Sequence, residues 1–409
     1  MIRIINSVIH RLKTQFGRSF RDALKVERAL YEEAIKLPPH TENRSYPVVM
    51  IIGPRHISGD AKHARLQAVE DLFKSLMNAA DINWVTSGFS PDMKDEIDNL
   101  CTQYGVKHHI TENPLTLSGR KDISLYQAYQ IASSIRPDVI TNISGYLKFG
   151  RQATMIGRAL STRTVIRVPG DEVRSRELKK SRKRKNDRYI ENKIFNRANH
   201  LMAMSADEKK RLSTIAPETD ITIVKRGVDM GLFKAKPLTP LKERAIQVIF
   251  IGRNSQEKGR DFLYKLIEAS DPESIKFTLV GNFDPHDPVW GKAHIYNSVA
   301  VKDMPAIYEA ADLLVSCSIT EGFPQIFAES LSCGRPILMP DTLLPGEFEG
   351  ANFVYRSALS VDHYIKTIEL IKDRLSLEHD ISGQAEKHAR QTLSNRLWQA
   401  GYRRLVLQS

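Results

Sequence analysis

Two carboxylates stand eight positions apart in Glu321-Gly-Phe-Pro-Gln-Ile-Phe-Ala-Glu329, on either side of a Gly-Phe-Pro turn that leads into a helical pattern. Gly322 permits tight backbone there. Pro324 falls in the first helical turn, where its missing N–H would have been unpaired anyway. The other free N–H groups of that turn can face an anion. Glu321 then stands at the mouth of the turn, and Glu329 reaches the same cleft from more than one turn inside the helix. An acid beside a phosphate is repelled unless it accepts hydrogen bonds from hydroxyls, and sugars and ribose supply those. The pattern therefore suits a nucleotide sugar, with phosphates on N–H groups and hydroxyls on carboxylates. The same spacing also fits a Glu that complements a helix dipole and a second Glu on a solvated helix face.

A second stretch, GRNSQEKG from Gly252 to Gly259, follows the strand-like run Ile246–Ile251. Arg253 offers a planar fork of donors and Lys258 a compact charge, a pair suited to a diphosphate. The helix expected to start near Lys258 adds its positive dipole end. A solvated Gly-Arg turn reads the same way.

Loops like these need a scaffold. In SYPVVMIIGPRH a buried strand, Val48 to Ile52, ends in a loop holding Gly53, Arg55 and His56, all candidate cleft residues. A helix is predicted from about Ala61 to Ala80. Strand-like runs recur at 82–85, 106–110, 139–143, 164–168 and 221–224, with helical stretches between several of them. Pro237 and Pro240 mark a linker over 237–244. Beyond it AIQVIFIG, IKFTLVGN, DLLVSC and PILMP read as strands, and RDFLYKLIEA, MPAIYEAA and PQIFAESLSC as helices. This alternation predicts an α/β chain of two doubly wound domains, 46–236 and 245–390. Ligands of such sheets bind outside the carboxyl ends of the strands. Residues 391–409 are expected to form a helix that packs back on the first domain.

The chain has 409 residues, a length that suits two domains, and a formal charge of +12. A strong positive charge points to an acidic partner. It concentrates in two places. From Met1 to Arg28 seven Lys/Arg oppose two Asp/Glu, and apolar residues at Ile5, Val8, Ile9, Leu12, Phe16, Phe20 and Leu24 form a helical stripe. From Arg174 to Arg188 nine Lys/Arg oppose two acids. Both segments suit an anionic membrane surface, where each Lys or Arg is worth about 1 kcal/mol. A solvated face and, for the first segment, a helix packed on the protein fit as well. Nucleic acid is disfavoured because no aromatic residues interleave the charges. Three cysteines give no disulfide framework or zinc motif, and no run is apolar enough to span a bilayer. These features predict a cytoplasmic protein, peripheral on a membrane if the basic segments act.

The run EGFPQIFAE resembles the E-x7-E motif of retaining glycosyltransferases with the GT-B fold, family four (glycosyl transferases group 1). IFIGRNSQEKG is similar to that family's donor-phosphate loop. MPAIYEAADLLVSCSITEGFP, SLSCGRPILMPDTLLPGEF and VKRGVDMGLF resemble its flanking segments, in the family's order, over about 221–350. The resemblance implies two Rossmann-like domains facing a central cleft. It implies that Arg253 and Lys258 hold the donor diphosphate, that Glu321 touches the transferred sugar, that the backbone around Gly322, Phe323, Pro324 and Gln325 cradles the distal phosphate and sugar, and that Glu329 binds the ribose. It implies a nucleotide-sugar donor, a glycan or lipid-linked acceptor, and no metal or other cofactor; no Asp-x-Asp of the metal-dependent GT-A type is found. Where many relatives place a His, this chain reads Ile166-Arg-Val-Pro-Gly-Asp171-Glu172. Asp171 is thus a candidate catalytic residue and Glu172 a candidate acceptor contact; a turn residue or helix cap explains either equally. A GT-B-shaped nucleotide-sugar epimerase or hydrolase, or a non-catalytic sugar-nucleotide-binding protein, would carry the same donor loops.

Overall fold

Val48–Ile52 is apolar at every position and buried at every position, as a strand covered on both faces must be. It is β1 of a seven-stranded sheet with β2 (Asp81–Thr86), β3 (Lys107–Ile110), β4 (Val139–Asn142), β5 (Arg163–Arg167), β6 (His200–Ala203) and β7 (Asp220–Ile223), in the order β3-β2-β1-β4-β5-β6-β7. A second sheet holds β8 (Ile246–Ile251), β9 (Ile275–Val280), β10 (His294–Tyr296), β11 (Leu313–Val315), β12 (Ile337–Pro340) and β13 (Val354–Ser357), in the order β10-β9-β8-β11-β12-β13. Every pairing in both sheets is parallel. The computed structural model describes residues 28–30, 32–34, 36–37, 44–54, 62–111, 123–178, 186–238, 241, 244–343, 348, 350–377 and 380–408.

Each sheet has one point where the strand order reverses. In the first it lies between β1 and β4, in the second between β8 and β11. There the helices after the two central strands go to opposite faces and leave a crevice at the strands' carboxyl ends. Gly53 follows β1, the Gly252–Gly259 loop follows β8, and Glu321 follows β11.

Apolar clusters cover both faces of the first sheet, and one large cluster fills the second domain. The C-terminal helix Asn395–Leu407 belongs to the first domain's core: Trp398, Tyr402, Leu405 and Val406 pack with Leu66, Val69 and Trp84. The Arg163 guanidinium donates to the carbonyls of Leu405 and Val406 at 2.9 and 3.0 Å, tying the helix end to β5. The chain therefore crosses between domains twice. Where the crossings meet, Val228 N donates to Leu393 O and Asn395 N to Val228 O, at 2.8 and 2.9 Å.

The expected basic helix over 1–28 lies almost wholly outside the described residues, as do Arg55 and His56. Just past that segment, Leu30 is buried in the first domain's core.

Candidate active site

The loop after β8 is built to touch the loop after β11. Gln256–Lys258 forms a 3-10 turn, and Gly259 turns left-handed at φ 75° before helix Arg260–Ala269 begins. A Cβ on Gly259 would fall 1.9 Å from the carbonyl oxygen of Cys317, so only glycine lets the two backbones approach this closely. Lys258 therefore sits in the turn, and the α-helix begins at Arg260, two residues later than expected. Ile319 N donates to Glu257 O at 2.9 Å and adds a second tie. Asn254 donates from its amide side chain to Asp287 at 2.8 Å and accepts from the Tyr264 hydroxyl at 3.0 Å, fixing the outer part of the loop.

This approach brings Lys258 and Glu321 into an ion pair, with 19% and 12% of their side chains exposed. Glu321 Oε1 also accepts from the Ser318 hydroxyl at 2.7 Å. Arg253 pairs with the buried Glu257 and remains 60% exposed, able to swing toward a ligand. Glu257 in turn accepts from the Ser175 hydroxyl of the first domain at 2.9 Å, a hydrogen bond that crosses the cleft.

The helix after β11 is Gln325–Ser332. Pro324 is its N-cap, extended at φ −72° and ψ 124°, and not a residue of the first turn. The fixed ring torsion suits that extended position. The domains come closest here: a Cβ on Gly322 would lie 2.4 Å from Pro169 O and 3.0 Å from Gly170 Cα. Phe323 is buried against Phe348, ring centroids 6.0 Å apart. Gln325 Nε2 donates to Gly227 O at 2.9 Å, which ties the helix tip to the interdomain crossing. Glu329 Oε2 accepts from the Tyr308 hydroxyl at 2.9 Å. Glu329 is partly buried. Burial pushes its carboxyl up to about 7, against the opposing pull of the Tyr308 hydroxyl and the Arg226 charge.

On the first domain, Gly53 has φ 98° and its carbonyl accepts from Trp84 Nε1 at 2.7 Å; a Cβ there would press on the Phe149 ring at 3.0 Å. Asp171 is engaged on several sides. Its Oδ1 accepts from Arg174 N at 2.8 Å, and Arg188 Nη1 donates to both carboxylate oxygens at 3.1 Å. The helix-cap reading accounts for the hydrogen bond from Arg174 N, and the contacts with Arg188 are an ion pair beyond it. Glu172 lies beside Tyr146 and Leu147, its carboxyl pushed by burial to about 7; its own N–H donates to the Tyr146 hydroxyl at 3.1 Å. Of the basic stretch 174–188, Arg176 pairs with Asp187 at 3.0 Å, and Arg188 pairs with Asp171 and Glu191. Residues 179–185 lie outside the described residues.

The structure thus collects Lys258, Glu321 and Ser318 at the switch point of the second sheet, with Arg253 on the same loop and the tip of helix Gln325–Ser332 beside them. Ser175, Glu257, Tyr308 and Arg226 were not singled out from sequence. Their roles arise from contacts between domains or between distant helices, which no local spacing encodes. Arg226 lies within VKRGVDMGLF, and its charge was the one available signal.

Two open parallel sheets, each with a switch-point crevice turned to a shared cleft, define the GT-B fold of glycosyltransferases. Residues 245–354 match the family described as Glycosyl transferases group 1. The chain is 28% identical over 131 residues to an uncharacterized 41.2 kDa protein in the cps region of Klebsiella pneumoniae, a stretch spanning 28% of this chain and 36% of that protein. HepE from Anabaena, solved in complex with UDP, superimposes with a TM-score of 0.67 at 16% identity, over 86% of this chain and 97% of HepE. WaaG, a glycosyltransferase involved in lipopolysaccharide biosynthesis, gives a TM-score of 0.64 at 12% identity, over 88% of this chain and all of WaaG. At these identities the structural likeness is one of fold. Among the described residues, no helix is long and apolar enough to cross a membrane.

Proposed function

We propose that the chain is a retaining glycosyltransferase that moves a sugar from a nucleoside-diphosphate sugar to a glycan or lipid-linked acceptor. One observation carries this reading: Lys258 and Glu321, 63 residues apart, meet at the carboxyl ends of β8 and β11 beside a helix tip. A cation, free N–H groups and a carboxylate within one small space suit a diphosphate joined to a polyol. The match over 245–354 covers the same elements and supports the reading.

In this proposal the diphosphate displaces Glu321 from Lys258 and draws Arg253 away from Glu257. Glu321, released, accepts hydroxyls of the transferred sugar. As the glycosidic bond breaks, Lys258, Arg253 and the N–H groups of Gly322, Phe323 and Gln325 stabilise the negative charge growing on the leaving phosphate. These groups support a metal-independent mechanism, because they supply the neutralising charge themselves. The acceptor hydroxyl attacks from the face the diphosphate leaves, and the departing phosphate oxygen takes its proton, so configuration is retained. Glu321 positions the sugar in this proposal and is not a glycosidase-type nucleophile, because the same-face attack needs no covalent intermediate. The Gly170–Gly322 approach and the Ser175–Glu257 hydrogen bond hold the domains together over the reacting atoms and limit access of water.

HepE has been solved with UDP-glucose, so UDP-sugars are the first donors to test. WaaG and the outer-core galactosyltransferase WaaB are lipopolysaccharide enzymes, which favours a lipid-linked glycan as acceptor and the cytoplasmic face of a membrane as the place of work. Thermal-shift screening of UDP-, GDP- and ADP-sugars, followed by product analysis with the stabilising donor, tests the activity. Transfer of sugar to an acceptor supports it. Release of free sugar alone, or an altered nucleotide sugar, identifies a hydrolase or an epimerase instead.

A further inference from the structure

Glu257 stands where the two domains touch and is held from both. Its Oε1 pairs with Arg253 of its own loop, and its Oε2 accepts from the Ser175 hydroxyl of the first domain at 2.9 Å. Glu257 is 7% exposed, whereas 60% of the Arg253 side chain is exposed. Glu257 cannot follow Arg253 outward. Its carbonyl accepts from Ile319 N at 2.9 Å, and two residues on Gly259 packs against the Cys317 backbone. A guanidinium that moves to a diphosphate therefore leaves a buried carboxylate behind. An ionised group withdrawn from water is costly unless hydrogen bonds satisfy it.

Ser175 is aimed at this carboxylate by its own domain. It lies on helix Glu172–Leu178, whose start Asp171 fixes. Asp171 Oδ1 accepts from Arg174 N at 2.8 Å, and its carbonyl accepts from Ser175 N at 3.0 Å. Arg188 Nη1 in turn holds both oxygens of the Asp171 carboxylate at 3.1 Å. Ser175 belongs to one domain and Glu257 to the other, so their hydrogen bond exists only with the domains together. A hydroxyl that donates to a carboxylate makes a charge-assisted bond, stronger than one between neutral groups. Once the guanidinium leaves, the full carboxylate charge falls to the donors that stay.

We propose that Ser175 is a positioning residue for Arg253: its hydroxyl stabilises Glu257 after the guanidinium has moved to the leaving diphosphate, so the closed domains favour that move. This rests on the donor reading above. With the domains apart, water satisfies Glu257 instead. The effect therefore falls on the closed, reacting state and not on nucleotide binding.

Kinetics and nucleotide calorimetry on the full chain test this, with the donor found by thermal shift. Ser175→Ala should lower kcat about tenfold. Its affinity for the matching nucleoside diphosphate should stay within about threefold of wild type, and Ser175→Thr, which keeps the hydroxyl, should restore kcat to about the same margin. Matching melting temperatures establish that the variants are folded. The deciding arm is Glu257→Gln. A neutral amide needs no stabilising when Arg253 leaves, so in that background Ser175→Ala should cost less than about threefold. A hydrogen bond that only holds the domains together would persist to the amide, and its loss would cost the same with or without the charge. That additive result overturns the inference. So does near-normal kcat in Ser175→Ala, or a loss of nucleotide affinity as large as the loss of rate. Arg253→Ala in the same assay separates the two levels of failure. Near-normal transfer by Arg253→Ala, or no transfer by wild type, removes the donor reading and this inference with it. A large loss in Arg253→Ala beside additive Ser175 and Glu257 effects removes the inference alone.

Discussion

Replacing Gly322 with alanine puts one methyl group where the two domains touch. Its Cβ would lie 2.4 Å from Pro169 O, against about 3.3 Å for an unforced carbon–oxygen contact. The opposing atoms are backbone on both sides, so no rotamer change relieves the overlap. The domains must part by roughly 0.9 Å at this point. A misplacement of about 1 Å between reacting groups costs on the order of 100-fold in rate, or about 2.7 kcal/mol of transition-state stabilisation. Gly322 is not among the residues with positive φ, so alanine adds no local backbone strain. The expected result is kcat/KM down about 100-fold. Nucleotide affinity should stay within about threefold, because the diphosphate contacts belong to the second domain alone, and the melting temperature should change little. Steady-state kinetics with the donor found by thermal shift, run beside nucleotide calorimetry, checks both. Turnover within threefold of wild type would refute the claim that this approach belongs to the working geometry.

Three more expectations follow from other parts of the molecule. Lys258→Ala should lower kcat by roughly 100- to 1,000-fold while the protein still melts cooperatively, read by transfer assay and calorimetry; near-normal transfer would remove the leaving-group role. Burial raises the Glu208 carboxyl to about 7, so the folded state holds its proton more tightly than the unfolded chain and stability declines as pH rises from about 4.5 to 7. Glu208→Gln cannot ionise, so its melting temperature should vary less between pH 5 and 7 than that of wild type; parallel profiles would contradict the burial argument. Deleting 395–409 removes Trp398, Tyr402, Leu405 and Val406 from the first domain's core. At about 1.5–3 kcal/mol each, that loss rivals the whole stability of a domain, so circular dichroism should show no cooperative melt for the first domain.

The long apolar strands were legible because burial leaves mostly apolar runs rich in β-branched residues, as in Val48–Ile52 and Ile246–Ile251. Three strands were not read. His200–Ala203 has no β-branched residue, and His294–Tyr296 and Val354–Ser357 are short edge strands only partly covered. The donor loop and the helix tip were recognised as separate pieces, and their meeting depends on Gly259, whose tight contact with Cys317 is a tertiary fact. Asp171 illustrates the opposite problem. Its place after a strand suggested chemistry, but Arg188, seventeen positions on, occupies both carboxylate oxygens. Ser175 lies in a stretch read for its charge, and its hydrogen bond to Glu257 needs both domains in place to exist.

The most direct measurement is a structure of the chain with a bound nucleoside diphosphate. The account predicts that the diphosphate lies between Lys258 and the amides of Gly322, Phe323 and Gln325, that Lys258 has exchanged Glu321 for a phosphate oxygen, and that Glu329 accepts hydrogen bonds from the ribose. A diphosphate bound elsewhere, with the Lys258–Glu321 ion pair intact, would contradict it.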